Sequence, residues 1–235
     1  MLRKVNEATA LGFPRICGFA ALGFAAMITL SNAIQVPAGL PAAGAGLGEV
    51  VAFFGAESHV VGIGSALTPA AWVLATMFGA GVVSVLWGSE RRRGEAWSLI
   101  GLAGLVLQNA AFAGVIAIRL ALASTVRDHR GATAGLWALH DALFALNATF
   151  LALALVGLSV GGLRAGLIRR WHGRLGLVSA ALLFASATLT TWFFGRSEAF
   201  GLLGLAGWLL WVVWIVVYGV TLIRLNRELN RECAP

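Results

Sequence analysis

Charge is what this sequence has least of. Of its 235 residues only 11% are Asp, Glu, Lys or Arg, while 59% are hydrophobic and the mean hydropathy is +0.86. Soluble domains carry roughly 25% charged residues, so this balance excludes an ordinary soluble fold and points to a chain that crosses a membrane several times. Lysine is nearly absent. Lys4 stands alone beside sixteen arginines, so no apolar segment carries the lysine that a retinal Schiff base requires. Cysteine is scarce too: Cys17 and Cys233 both fall on the side read below as cytoplasmic, which supports neither a disulfide framework nor a thiolate metal site. There is no G-x-S-x-G stretch for a serine nucleophile, and no phosphate or dinucleotide fingerprint in a strand–turn–helix context. His140 is the only histidine well inside an apolar segment, so a bis-histidine haem lacks its second imidazole.

The formal charge of +7 does not read as a nucleic-acid surface, because the basic residues lie in short clusters between apolar runs instead of on one solvated face. Arginine in place of lysine, with abundant alanine and glycine, matches a GC-rich coding bias and a bacterial source. Six apolar segments reach the ~20 residues needed to cross about 30 Å of hydrocarbon. They fall near 16–36, 69–88, 97–118, 134–158, 175–195 and 200–223. The first is longer than the 7 to 15 residues, roughly, of a signal-peptide core and is expected to be retained. With the N-terminus inside, thirteen basic residues fall on the cytoplasmic side, in clusters at 3–15, 91–93, 164–174 and 224–231. Only Arg119, Arg127, Arg130 and Arg196 fall on the other. The positive-inside rule then predicts a plasma-membrane protein of six spans with both termini cytoplasmic.

Four of the five connections are short and force antiparallel neighbours. The first external connection, 37–68, is long, and its centre, LGEVVAFFGAESHVVGI, is too apolar for a free loop and too short to cross. It predicts an amphipathic helix over 47–63 capping the bundle, hinged by Pro37, Pro41 and the glycines at 39, 44, 46 and 48. The expected fold is therefore an all-α, six-helix membrane bundle with an external cap, forming one domain over 1–235. No internal repeat and no paired broken segments are present, against an inverted-repeat transporter. Small residues at helix spacing, Ala110 with Gly114 and Gly204 with Gly207, allow close packing within or between chains.

The anomaly is GLWALHDALFALNATFLALAL, residues 135–155, which carries His140, Asp141 and Asn147 into the fourth span. At about 1.5 Å per residue His140 and Asp141 lie roughly 10 Å below the outer end and Asn147 roughly 20 Å below it. His140 and Asn147 share one face, and Asp141 points about 100° away. The third span supplies Gln108 and Asn109 near mid-depth and Arg119 near its outer end. A carboxylate at the centre of a membrane helix costs about 2.5–3.5 kcal/mol, so Asp141 is expected to be paired, and Arg119 is the basic residue at the right depth. Two readings are open: a staple between the third and fourth helices, or the lining of an outward-open polar cavity. Trp208 and Trp211, in a stripe with Trp214 and Tyr218 at mid-depth of the last span, would either pack against neighbours or wall such a cavity. Glu57, His59, His140 and Asp141 are zinc-type ligands if the cap folds over the bundle, but Glu57 and His59 are two apart on a helix and diverge, so no metal site is assigned.

The opening RICGFAALGFAAMITL, the long external connection, LWALHDALFALNATFLALAL and the closing YGVTLIRL together resemble, in layout, the six-helix bacterial membrane proteins grouped as a domain of unknown function. The resemblance implies the fold and brings neither an activity nor a catalytic residue. The sequence thus favours a non-enzymatic membrane protein that binds a small apolar or amphipathic molecule, a lipid or a partner helix, through Arg119, His140, Asp141, Asn147, Gln108, Asn109, Trp208 and Trp211. The alternative is a membrane-embedded enzyme using His140 and Asp141 as acid and base or with a metal. The expected partners are membrane lipids and not nucleic acid, and no cofactor can be assigned.

Overall fold

The computed structural model describes residues 12–126, 130–193 and 198–232; Arg3, Lys4, Arg127, His129, Arg196 and Cys233 lie outside the described residues. The described residues fold into eight helices without a strand. They are α1 (Phe13–Gln35), α2 (Leu47–Ala56), α3 (Ser58–Ala66), α4 (Thr68–Arg93), α5 (Trp97–Thr125), α6 (Arg130–Arg164), α7 (Arg170–Phe193) and α8 (Glu198–Glu232). Among the described residues six stretches are long and apolar enough to span a membrane, and each overlaps one of the six segments expected from hydropathy. The chain is a multi-pass membrane protein.

Each span packs on its neighbour in sequence, and α8 closes back on α1, so the six helices form a ring. Its centre is filled with side chains. Phe24, Phe78, Leu86, Leu155, Leu158, Trp214, Ile215 and Tyr218 are all fully buried there. Lipid is as apolar as leucine, so these helices gain little from hydrophobic association and rely on close packing. Glycine supplies that approach. A Cβ at Gly157 of α6 would lie 2.6 Å from Gly101 Cα and 2.7 Å from the Trp97 carbonyl oxygen of α5. One at Gly18 of α1 would lie 2.6 Å from the Gly219 carbonyl of α8. Of the small pairs expected from sequence, Gly204 and Gly207 do seat α8 on α7, whereas Ala110 is exposed.

The turn from α4 to α5 shows how sequence sets a boundary. Gly94 takes the left-handed conformation at φ 67°, and Glu95 N–H then reaches back to the Glu90 carbonyl at 3.0 Å, ending α4 after its arginine run. Glu90 itself is fully buried and caps α5: its carboxylate accepts from Ser98 N–H at 2.9 Å and from Ser98 Oγ at 2.5 Å. A negative charge at a helix N-terminus is favoured by the backbone dipoles there.

The cap differs from the single helix expected over 47–63. The backbone breaks at Glu57 (φ −107°, ψ 31°), so only α2 lies across the bundle end. The second piece, α3, instead leads almost continuously into α4 as the first turns of the second span. Continuity survives Pro69 because the carbonyl of Ser65 is still satisfied: Thr68 Oγ1 donates to it at 2.6 Å. Burial decides the break. Ser31 Oγ of α1 donates to the Gly64 carbonyl at 3.0 Å, tying α3 down beside α1. Val50, Phe53 and Phe54 of α2 bury against Ile118, Leu122, Val126 and Trp137, a cluster that Val61 of α3 also joins.

Candidate functional site

The cap helix packs over the end of α5 and α6 that carries Arg119 and His140. Arg119 (α5) and His140 (α6) are buried, 7% and 2% exposed, and Arg119 Nε donates to His140 Nε2 at 3.1 Å. A guanidinium can only donate, so Nε2 must carry a lone pair and the imidazole proton sits on Nδ1. Nδ1–H then donates to Asp141 Oδ1, also at 3.1 Å. The other carboxylate oxygen, Oδ2, accepts from the backbone N–H of Gly44 at 2.9 Å. The result is one directed chain, Arg119 to His140 to Asp141, ending on the loop between α1 and α2. Gly44 holds φ 82°, the left-handed region where a side chain is unfavourable, which explains glycine at the contact.

The expected direct contact of Arg119 with Asp141 is therefore corrected: the imidazole stands between them. Successive residues on a helix point about 100° apart, so when His140 faces α5 its neighbour faces the loop. Asp141 accordingly keeps 27% of its side-chain surface exposed while the His140 side chain keeps 3%.

Aromatic rings hold the imidazole in place. Trp137 stacks on His140 with centroids 4.4 Å apart and planes at 11°, and Phe144 lies parallel on the other side at 6.1 Å. Phe54 from α2 meets Trp137 edge-on at 6.2 Å, so the cap touches the ring that touches His140. The Trp137 indole N–H is buried and has no acceptor.

The remaining polar residues do not join this group. Gln108 Nε2 donates to Asn147 Oδ1 at 3.0 Å, a separate bond between α5 and α6 deeper in the bundle. Asn109 turns to α4, where its amide N–H groups make two long contacts, 3.4 Å each, to the Trp72 carbonyl and Thr76 Oγ1. Trp211 packs edge-on against Phe24 of α1 at 5.5 Å, with Trp208 beside it at 6.1 Å. Trp214 and Tyr218 pack on Phe78, and His172 Nε2–H donates to the Trp214 carbonyl at 2.9 Å. The aromatic stripe of α8 thus belongs to the ring's core. Glu57 and His59 flank the start of α3, and among the described residues no three His, Cys, Asp or Glu side chains converge as metal ligands.

Sequence reasoning missed two groups. Glu90 sits beside an arginine run and reads as interfacial, yet it is fully buried; the glycine four residues on, Gly94, was the signal that the chain folds back over it. Gly44 was read only as hinge, and nothing local marks it as a partner of Asp141. No family model, curated protein or solved structure matches this chain, so the site stands on its own geometry.

Proposed function

We propose that this membrane protein binds, without catalysis, a small amphipathic molecule at its capped end, through an outward-facing pocket that opens when α2 and the 36–46 loop lift. The observation that carries this reading is the Trp137 N–H, buried without an acceptor beneath the cap and stacked on the imidazole that the Arg119 guanidinium holds. An unsatisfied buried donor costs about 1–3 kcal/mol, and an acceptor-rich head group entering beside Trp137 removes that cost. The apolar cluster of α2, α5 and α6 around it suits the molecule's hydrocarbon part. The basic clusters at 91–93 and 164–174 support a reading in which this end faces outward and both termini face the cytoplasm of a plasma membrane.

The acid–base alternative has less support. A general base needs a free lone pair, and the one on His140 Nε2 already accepts from Arg119. The test is to extract the protein from its native membrane into nanodiscs and identify co-purifying small molecules by mass spectrometry. Wild type is expected to retain a species that Trp137→Phe, which keeps the stack but loses the N–H, releases. A wild type that carries nothing beyond bulk lipid, or a Trp137→Phe variant that retains the same species, would sink the reading.

A further inference from the structure

We infer a second binding site, independent of the capped end: a lateral groove between α4 and α5 that takes an uncharged lipophile carrying one hydroxyl. These two helices touch over less of their length than any other neighbouring pair of spans. They are tied at one end by Glu90 and Ser98 and bridged farther along only by the Asn109 amide. The space between them measures about 580 Å³ and opens sideways toward the membrane. Its walls include Val73, Met77, Ala80 and Val106, and no charged residue lines it.

Two polar residues in the lining set the ligand's chemistry. Asn109 is 9% exposed, its Oδ1 has no donor, and its amide nitrogen is held only by the two 3.4 Å contacts to Trp72 and Thr76. Contacts that long are at the limit of hydrogen bonding, so the amide is readily turned into the groove. Trp72, also in the lining, has an indole N–H without an acceptor. An acyl chain supplies neither partner. A hydroxyl supplies both, donating to the amide oxygen and accepting from the indole.

Depth excludes a phospholipid head. Asn109 lies about 18 Å along α5 from Trp97 and about 24 Å from Thr125, near the middle of the span. A charged head group there carries the cost of charge in hydrocarbon, whereas a single hydroxyl that is hydrogen-bonded on arrival does not.

The probe is a long-chain fatty alcohol with a mid-chain diazirine, compared with the same diazirine on an alkane, photolysed with the full chain in phosphatidylcholine nanodiscs. Peptide mapping is expected to show the alcohol labelling the 72–80 and 106–110 segments about five-fold more than the alkane, the net effect of one hydrogen bond. Asn109→Leu should abolish that excess. Ala110→Phe, at an exposed lining position that leaves the polar atoms intact, should block it as well, and decides the matter if Asn109→Leu does not fold. Equal labelling by the two probes, an excess that survives Ala110→Phe, or protection of the groove from both probes by a second copy or a partner helix would each overturn the inference. Trp137→Phe, which alters the capped end but keeps its ring stack, should leave the labelling unchanged, which separates this site from that one.

Discussion

His140 is the pivot of the capped end because its two nitrogens do opposite things. One accepts from Arg119 and the other donates to Asp141, so a single ring satisfies a buried cation on one helix and a half-exposed carboxylate on its own. Removing it leaves both without that partner. His140→Ala is expected to destabilise the folded protein by roughly 3 kcal/mol, since a buried charged group that loses its partner bears most of its desolvation cost. Asp141→Asn keeps one acceptor oxygen for either His140 or Gly44 and should cost only about 1 kcal/mol. Thermal unfolding of the two variants in detergent gives the order directly. A His140→Ala variant as stable as wild type would mean that the chain of hydrogen bonds holds nothing together.

Helix packing here is decided by where a side chain is missing. Alanine ordinarily stabilises a helix by about 1 kcal/mol over glycine. At Gly157 the sign should reverse, because the added Cβ meets backbone atoms of Gly101 and Trp97 that can move only if α5 and α6 part. Overpacking of this kind costs about 1–3 kcal/mol. Gly135, on the same helix but with nothing near its Cβ position, should show the ordinary gain. Gly157→Ala and Gly135→Ala therefore form a matched pair whose melting temperatures are expected to move in opposite directions. The cap follows the same logic of local burial: α2 turns its apolar residues to α5 and α6, while α3 adds Val61 to that cluster and is also held against α1.

At the scale of the whole molecule, six spans bring the first residue of α1 and the last of α8 to one end of a closed ring, with α2 across the other. The arginine distribution supports the proposal that the capped end faces outward. Single cysteines at exposed Ser58, beside the cap, and at exposed Arg92, at the α4–α5 turn, test this in a Cys233→Ser background, where buried Cys17 is protected. A membrane-impermeant maleimide should label Ser58→Cys in intact cells and Arg92→Cys only after permeabilisation. The reverse pattern would invert the topology, and labelling of both from one side would break the six-span ring.

The number of spans, their approximate limits and the presence of a cap could be read from sequence, because insertion into hydrocarbon is a sum over residues of one segment and needs no knowledge of partners. The grouping of Arg119, His140 and Asp141 was partly legible for the same reason: depth along a helix follows from residue number, and charges at one depth seek each other. Rotation about the helix axis, and the turn taken by a loop, are not properties of one segment. They decided that His140 stands between Arg119 and Asp141, that Gly44 closes on the carboxylate from 97 residues away, and that Asn109 faces α4 while Gln108 beside it pairs with Asn147. They also sent Trp211 into contact with Phe24 of α1 and buried Glu90 over the start of α5. Each of these depends on which face a helix presents once all six have packed, and glycine crossings such as Gly101 with Gly157 set that face by the closeness they allow.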